Sequence, residues 1–155
     1  ANEWQGSPIN YAEYTFECWI YRLGIGLQQT IFDLRTTEPQ ANPLLFIDTS
    51  NILNYWISGS ARIASLTNAV AVNTWTHVAV SRSAVTGTKM FINGVQSGVT
   101  YSDPTTIYSG IKLFIGADHT SSTLFGGYME DIRHTVGVAR YTTNTAAPTR
   151  AFSMR

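Results

Sequence analysis

The sequence predicts an all-β protein, an antiparallel two-sheet sandwich, and three observations carry that prediction. Roughly ten short segments rich in aromatic and β-branched residues are separated by turn residues, as in sandwiches and barrels. Asn93-Gly94 lies between Met90-Phe91-Ile92 and Val95, and Asn-Gly marks a hairpin because a type I′ turn needs positive φ at both central residues. Only 13% of residues are charged, about half the usual share, whereas a helical bundle would be rich in Glu, Lys and Ala.

The predicted strands follow the chain in order. The first alternates, with Phe16, Cys18 and Ile20 on one face and Thr15, Glu17, Trp19 and Tyr21 on the other. Apolar residues on both faces are expected for a strand inside a sandwich. The predicted segments are 14–21, 30–34, 44–48, 54–57, 61–66, 75–82, 89–92, 112–116, 128–135 and 138–141.

The connecting segments are predicted from turn residues. Residues 33–43 contain Pro39 and Pro43 and form a predicted loop. Residues 142–147 offer the best chance of a single helical turn, and residues 142–155 form a predicted strap or exit tail. The whole chain, residues 1–155, is predicted to be one domain. It begins at Ala1 rather than Met, so we expect it to be processed or cut from a longer polypeptide.

Composition excludes several function classes. The formal net charge is zero and only two lysines occur, Lys89 and Lys112, so no basic stripe for nucleic acid is visible. No apolar stretch approaches the length of a membrane-spanning helix, so membrane insertion is not expected. Cys18 is the single cysteine, which rules out an internal disulfide and predicts a small buried residue.

Four motifs resemble the laminin-G-like, concanavalin A-like lectin and glucanase superfamily. They are Tyr14-Thr-Phe-Glu-Cys-Trp-Ile20, Trp75-Thr-His-Val-Ala-Val-Ser-Arg82, Met90-Phe-Ile-Asn-Gly94, and Leu113-Phe-Ile-Gly116 with Phe125-Gly-Gly-Tyr-Met-Glu-Asp-Ile-Arg133. Their order and spacing match over about residues 10–145. The resemblance implies a two-sheet antiparallel jelly roll. The usual opening strand is missing at residues 2–8, so we expect the edge strand to be supplied differently, for example by a neighbouring subunit.

The segment Gly137-Val-Ala-Arg-Tyr-Thr142 resembles the version of this domain in bacteriophage structural proteins. It implies a virion protein, either a capsid decoration, a fibre or a tail-associated component. Such a module would bind other virion proteins or itself and could contact host-surface glycans. The alternative is a secreted, soluble lectin-like carbohydrate-binding domain. A glycoside hydrolase is disfavoured.

The case against catalysis rests on carboxylate placement. Retaining glycosidases need two carboxyl groups about 5–5.5 Å apart. Glu130 and Asp131 are adjacent, so on a regular strand they point to opposite faces and cannot line one cleft. His77 is expected to be a satisfied strand histidine, and no zinc motif occurs. Trp19 and Trp75 are expected to lie in the core and to seal it.

Sugar binding needs exposed aromatic rings beside polar side chains. The candidates are Tyr55, Trp56, Tyr101, Tyr108, Asp118 and His119. No cofactor is predicted, with calcium as the one candidate ion. Its ligands would be Asp118 with Asn68 or Asn51, although Asx turns explain the same residues.

Overall fold

The computed structural model describes residues 4–37, 41–103, 108–150 and 152, and for residues 4–11 and 109–111 the backbone alone. These residues form eleven strands and no helix, so the all-β prediction is confirmed. Nothing in the described chain is a helix long and apolar enough to cross a membrane. Residues 38–40 of the predicted loop and residues 151 and 153–155 of the predicted tail lie outside the described residues.

Two antiparallel sheets form the sandwich. The six-stranded sheet has the order β1-β10-β3-β4-β5-β6, and the five-stranded sheet has the order β11-β2-β7-β8-β9. The strands are β1 (Trp4–Tyr11), β2 (Tyr14–Arg22), β3 (Gln29–Asp33), β4 (Leu44–Ile47), β5 (Leu53–Ile57), β6 (Ser60–Ala64), β7 (Trp75–Ser83), β8 (Gly87–Ile92), β9 (Val95–Gln96), β10 (Tyr108–Ile115) and β11 (Gly127–Val136).

The core lies between the two sheets, where the predicted face of β2 is buried. Phe16, Cys18 and Ile20 are at most 1% exposed. Phe16 meets Phe32 of the opposite sheet with ring centroids 4.4 Å apart. The alternation of β2 therefore sends its other residues outward, onto the outer face of the five-stranded sheet.

The edge strand of the six-stranded sheet comes from the chain's own N-terminal segment. β1 pairs with β10 in an antiparallel ladder from Trp4–Leu113 to Tyr11–Tyr108. The expectation of a strand supplied from elsewhere is therefore wrong, because β-pairing needs backbone groups rather than the family's usual sequence.

The Asn93-Gly94 hairpin is confirmed. Both residues have positive φ, 50° and 81°, and they connect the paired residues Ile92 and Val95. The Asn93 side chain also accepts a hydrogen bond from the backbone N–H of His77 at 2.9 Å. The turn is therefore tied to the neighbouring strand β7 as well as closing its own hairpin.

After β11 the chain crosses the outer face of the five-stranded sheet as an extended segment, residues 137–150, called here the strap. The predicted strand 138–141 and helical turn 142–147 do not form. Side-chain hydroxyl groups of β2 and β7 make hydrogen bonds to the backbone of the strap instead. Thr15 Oγ1 donates to the carbonyl of Val138 at 3.0 Å and accepts from the N–H of Arg140 at 2.9 Å, and Ser81 Oγ accepts from the N–H of Tyr141 at 3.1 Å.

The strap then contacts the Asn93-Gly94 hairpin. The N–H of Thr145 donates to the carbonyl of Gly94 at 2.9 Å, and the N–H of Gln96 donates to Asn144 Oδ1 at 2.8 Å. A Cβ placed on Gly94 would lie 1.9 Å from the carbonyl oxygen of Thr145. Glycine is therefore required at this turn by backbone conformation and by the strap's approach.

We expect Gly94→Ala to lower the free energy of unfolding by roughly 3 kcal/mol, because it adds a steric clash to the cost of positive φ. Gly26→Ala is the matched control. Gly26 has nearly the same φ, 80°, but open space around its Cβ position, so the loss should be about 1 kcal/mol. Urea unfolding measures both. Equal losses would contradict the strap's close contact with the hairpin.

Candidate functional site

Three aromatic side chains form a line across the outer face of the five-stranded sheet, called here the aromatic row. Tyr128 of β11 pairs with Tyr21 of β2, which pairs with Trp75 of β7. Their ring centroids are 6.1 Å and 5.5 Å apart. Trp75 is 37% exposed and Tyr128 is 60% exposed. The row is therefore an aromatic surface open to solvent.

The prediction that Trp19 and Trp75 lie in the core is wrong. Trp19 is half-buried and Trp75 is exposed. Both occupy outward positions of their strands, since the inward positions are filled by residues such as Ile20 and Val78. The alternation of β2, which already placed Trp19 and Tyr21 opposite the core face, was the available signal for this outer surface.

A β-bulge brings two carboxylates to the aromatic row. The register of β11 against β2 shifts between Glu130 and Arg133, and Asp131 has a φ of 46°. Glu130 and Asp131 line one cleft, so the expectation that they cannot share a cleft is wrong. It assumed a regular strand, and an extra residue in a bulge re-aims the side chains that follow.

Two adjoining cavities lie at this end of the sheet. One, of about 390 Å³, is lined by Trp19, Trp75, Glu130, Asp131 and the strap residues Pro148, Thr149 and Arg150. The other, of about 520 Å³, is lined by Tyr21, Leu23, Trp75, Tyr128 and Glu130. Trp75 and Glu130 border both cavities, so they are the centre of the candidate site.

A buried carboxylate lies beside the aromatic row on the same face. Glu17 has no exposed side-chain area. Its Oε1 accepts from Arg133 Nε at 2.8 Å and lies 2.6 Å from Arg133 Nη2. Its Oε2 accepts from the Tyr141 hydroxyl at 2.5 Å and lies 3.2 Å from His77 Nε2. His77 is thus a strand histidine, as the sequence predicted, but it is satisfied at Nε2 only, since its buried Nδ1 has no partner among the described residues.

These contacts decide the ionisation of the Glu17 cluster, defined as Glu17, His77, Arg133 and Tyr141. Burial raises the pKa of Glu17, but the hydrogen bonds from His77, Tyr141 and Arg133 outweigh it and hold the pKa below its ordinary value. Burial and the bond to Glu17 raise the pKa of Tyr141. Glu17 is therefore charged at neutral pH and anchors the strap rather than acting as a reacting group.

Two of the predicted sugar-binding residues lie in the core. Tyr55 and Tyr108 are at most 1% exposed. The Tyr55 hydroxyl lies 2.6 Å from that of Tyr14, and the Tyr108 hydroxyl donates to Asp103. Burial raises the pKa of both Tyr55 and Tyr108. The hydroxyl groups of both tyrosines are hydrogen-bonded inside the sandwich, so neither side chain is accessible to a ligand.

The structure brings two other candidates together on the six-stranded sheet. Trp56 and Asp118 line a separate cavity of about 390 Å³ that also includes Arg35. Trp56 packs edge-on against Phe46, with ring centroids 5.9 Å apart. Arg35 is occupied by a two-pronged ion pair with Asp33, at 2.8 Å and 2.9 Å.

The last two candidates make separate contacts. Nδ1 of His119 lies 3.1 Å from the Asp33 carboxylate. The ring of Tyr101 lies under the guanidinium of Arg62, 5.6 Å from the ring centroid. Neither residue lines the cavities at the aromatic row.

The proposed calcium ligands are engaged in loop hydrogen bonds. Asp118 accepts from the N–H groups of Ser122 and Thr123 and from the hydroxyls of Thr120 and Ser122, at 2.7–3.0 Å. Burial alone would raise its pKa, but these bonds lower it. Asn51 accepts from Arg22 and its carbonyl accepts from the N–H of Asn68. Within the described chain, no three His, Cys, Asp or Glu residues group as metal ligands.

We expect Glu17→Gln to lower the free energy of unfolding at neutral pH by about 3 kcal/mol, because it leaves Arg133 without its buried partner. Since the pKa of Glu17 is lowered from 4.5, this contribution is present above about pH 4.5 and is lost as the pH falls further. Urea unfolding of both proteins between pH 7 and pH 3 measures the difference.

The control for this prediction is Glu13→Gln, which removes a carboxylate whose contact to Ser83 is 3.5 Å long. Its effect should stay within about 0.5 kcal/mol. A gap between wild type and Glu17→Gln that is the same at pH 3 and pH 7 would contradict the charged state of Glu17.

Solved structures with the same fold come from several organisms. The heptameric SAP-like pentraxin of Limulus polyphemus is 15% identical with a TM-score of 0.63, over 88% of this chain and 70% of the pentraxin. The CBM40 of the Ruminococcus gnavus IT-sialidase is 11% identical with a TM-score of 0.60, over 86% and 91%. Domain 4 of the Geobacillus stearothermophilus arabinanase AbnA is 16% identical with a TM-score of 0.63, over 86% and 65%.

At these identities the likeness shows the jelly-roll fold alone. A comparison with curated proteins finds no match. The family model described as the concanavalin A-like lectin/glucanases superfamily matches residues 3–135, which is most of the chain. The chain belongs to the concanavalin A-like lectin/glucanases superfamily.

Proposed function

We propose that the chain is a non-catalytic glycan-binding module and that the aromatic row is its binding platform. The observation that carries the proposal is the alignment of Tyr128, Tyr21 and Trp75 across three adjacent strands, with solvent access. The apolar faces of sugar rings stack on aromatic rings, and sugar hydroxyls need fixed polar partners. Glu130 lines both cavities beside the row, Asp131 and Arg150 line the one that includes Trp19 and Trp75, and these side chains supply such partners.

The dimensions of the row favour an oligosaccharide. A ligand that lies across three strands contacts more than one ring, whereas a single sugar covers one. Two of the structural relatives bind such ligands, since the sialidase CBM40 has been solved with α2,3-sialyllactose and the arabinanase domain with arabinotriose. These relatives support the ligand class without identifying the sugar.

The carboxylates at the row fit binding better than hydrolysis. A glycosidase's general acid usually lies in a buried, apolar pocket that keeps it protonated. Glu130 and Asp131 are exposed. Glu17, the buried carboxylate nearest to them in the sheet, is occupied by Arg133, His77 and Tyr141. Among the described residues, no two carboxylates around the row are thus placed as a catalytic acid–base pair.

We expect Trp75→Ala to weaken, by at least tenfold in Kd, the binding of the oligosaccharide that the wild-type protein selects from a glycan array. The substitution removes the aromatic face on which the sugar ring stacks and the contact area of the indole, and together these losses account for a Kd at least tenfold weaker. Trp56→Ala is the matched control, because it removes a tryptophan that lines the separate cavity on the six-stranded sheet. Isothermal titration with the selected sugar measures both.

Loss of binding in Trp56→Ala with normal binding in Trp75→Ala would move the site to the six-stranded sheet and contradict the proposal. The titrated sugar should be recovered intact. Shorter products that disappear in Glu130→Gln would show hydrolysis and overturn the non-catalytic assignment.

A bacteriophage particle is the setting we propose as the second candidate. It rests on the Gly137-Val-Ala-Arg-Tyr-Thr142 segment and on an apolar groove of about 700 Å³. Leu23, Ile25 and Leu27 on the rim are 56–72% exposed, as at interfaces between proteins. The module would then bind another virion protein or a second copy of itself. A secreted carbohydrate-binding domain is the alternative setting.

Light scattering separates the two settings. A second copy bound at the apolar groove predicts an oligomer that Leu27→Asp converts to monomer, because a charge in an apolar interface is costly. The Val85→Asp variant, an exposed apolar residue outside the groove, should leave the oligomer unchanged. A strict wild-type monomer that still binds sugar would favour the secreted alternative.

A further inference from the structure

The aromatic row has an electrostatic property beyond its stacking surface. Among the described residues that line the cavity above the row, Glu130 alone carries a charge. The adjoining cavity adds Asp131 and Arg150, so the two carboxylates outnumber the one guanidinium. The described lining of the two cavities is therefore net negative in a chain whose total formal charge is zero.

The two carboxylates are unpaired within the described part of the chain. Neither Glu130 nor Asp131 has an ion pair or a hydrogen bond to any described residue through its side chain. Glu17 on the same outer face differs, because its carboxylate has three partners. Carboxylates that are exposed, unpaired and beside an aromatic surface are available to a ligand.

The rings are also arranged for a cation. The planes of Tyr21 and Trp75 are inclined by 59°, and those of Tyr21 and Tyr128 by 49°, so neighbouring rings are tilted relative to each other rather than coplanar. A cation is attracted to an aromatic face when it lies within about 6 Å of the ring centroid. Glu130 lines the same cavity as these three rings and supplies the counter-charge for a cation.

Resting on the glycan-binding function proposed above, we infer that the platform prefers saccharides that carry free ammonium groups, such as unacetylated 2-amino sugars, over neutral and acidic ones. The sugar ring stacks on the aromatic row, and its ammonium group lies against an aromatic face next to Glu130. An exposed ion pair and an exposed cation–π contact together predict about tenfold tighter binding than for the same sugar without its charge.

The test compares two ligands with one backbone, the glucosamine hexamer and its fully N-acetylated counterpart, by isothermal titration at about pH 6. The wild-type protein should bind the glucosamine hexamer about tenfold more tightly, and added salt should reduce the ratio. Glu130→Gln should lower the ratio severalfold, because it removes the ion pair and leaves the cation–π contact with the rings. Glu13→Gln, which removes the same charge away from the row, should keep the tenfold preference.

The outcomes separate the two proposals. Equal binding of both hexamers by the wild type, tighter binding of the acetylated hexamer, or a preference that Glu130→Gln leaves unchanged would overturn the ammonium preference alone. A wild type that binds neither hexamer overturns it as well. Binding that Trp75→Ala leaves unchanged would overturn the aromatic row as the glycan platform.

Discussion

The outer face of the five-stranded sheet depends on one buried carboxylate. Glu17 projects from β2 away from the core, where an unpaired charge would be costly. Its partners come from three elements, His77 from β7, Arg133 from β11 and Tyr141 from the strap. The carboxylate therefore fixes the strap over one half of the face, and the other half, with the aromatic row, stays open.

The bulge in β11 and the Glu17 cluster depend on each other. The register shift brings Arg133 opposite Glu17 and leaves Glu130 opposite Trp19. The guanidinium of Arg133 is further covered by the ring of Phe152, 4.0 Å from its centroid. The β-bulge thus places the guanidinium of Arg133 against the buried Glu17 and leaves the exposed carboxylates of Glu130 and Asp131 beside the aromatic row.

Much of the fold could be predicted from the sequence, because strand alternation and turn chemistry are local. The core face of β2 and the Asn93-Gly94 turn follow from residues within a few positions of one another. The strap could not be predicted in the same way. Its backbone is satisfied by Thr15 and Ser81, which lie 60 or more residues away along the chain, and no local pattern records such partners.

The candidate site was harder to predict, since it depends on which half of a face another segment covers. Trp19 and Trp75 have the size and strand context of core residues, yet they point outward. In β5 the strand register alone sends Tyr55 inward and Trp56 outward, so one of two adjacent aromatic candidates had to be wrong. The bulge at Asp131 adds one residue to a strand, which the alternation rule does not anticipate.

The most direct test of the open aromatic half is a nuclear magnetic resonance titration of the indole N–H signals with the glucosamine hexamer. The account predicts that the signals of Trp75 and Trp19 shift together on one binding curve while that of Trp56 stays in place. A shift confined to Trp56 would contradict it, because the sugar would then lie on the opposite sheet.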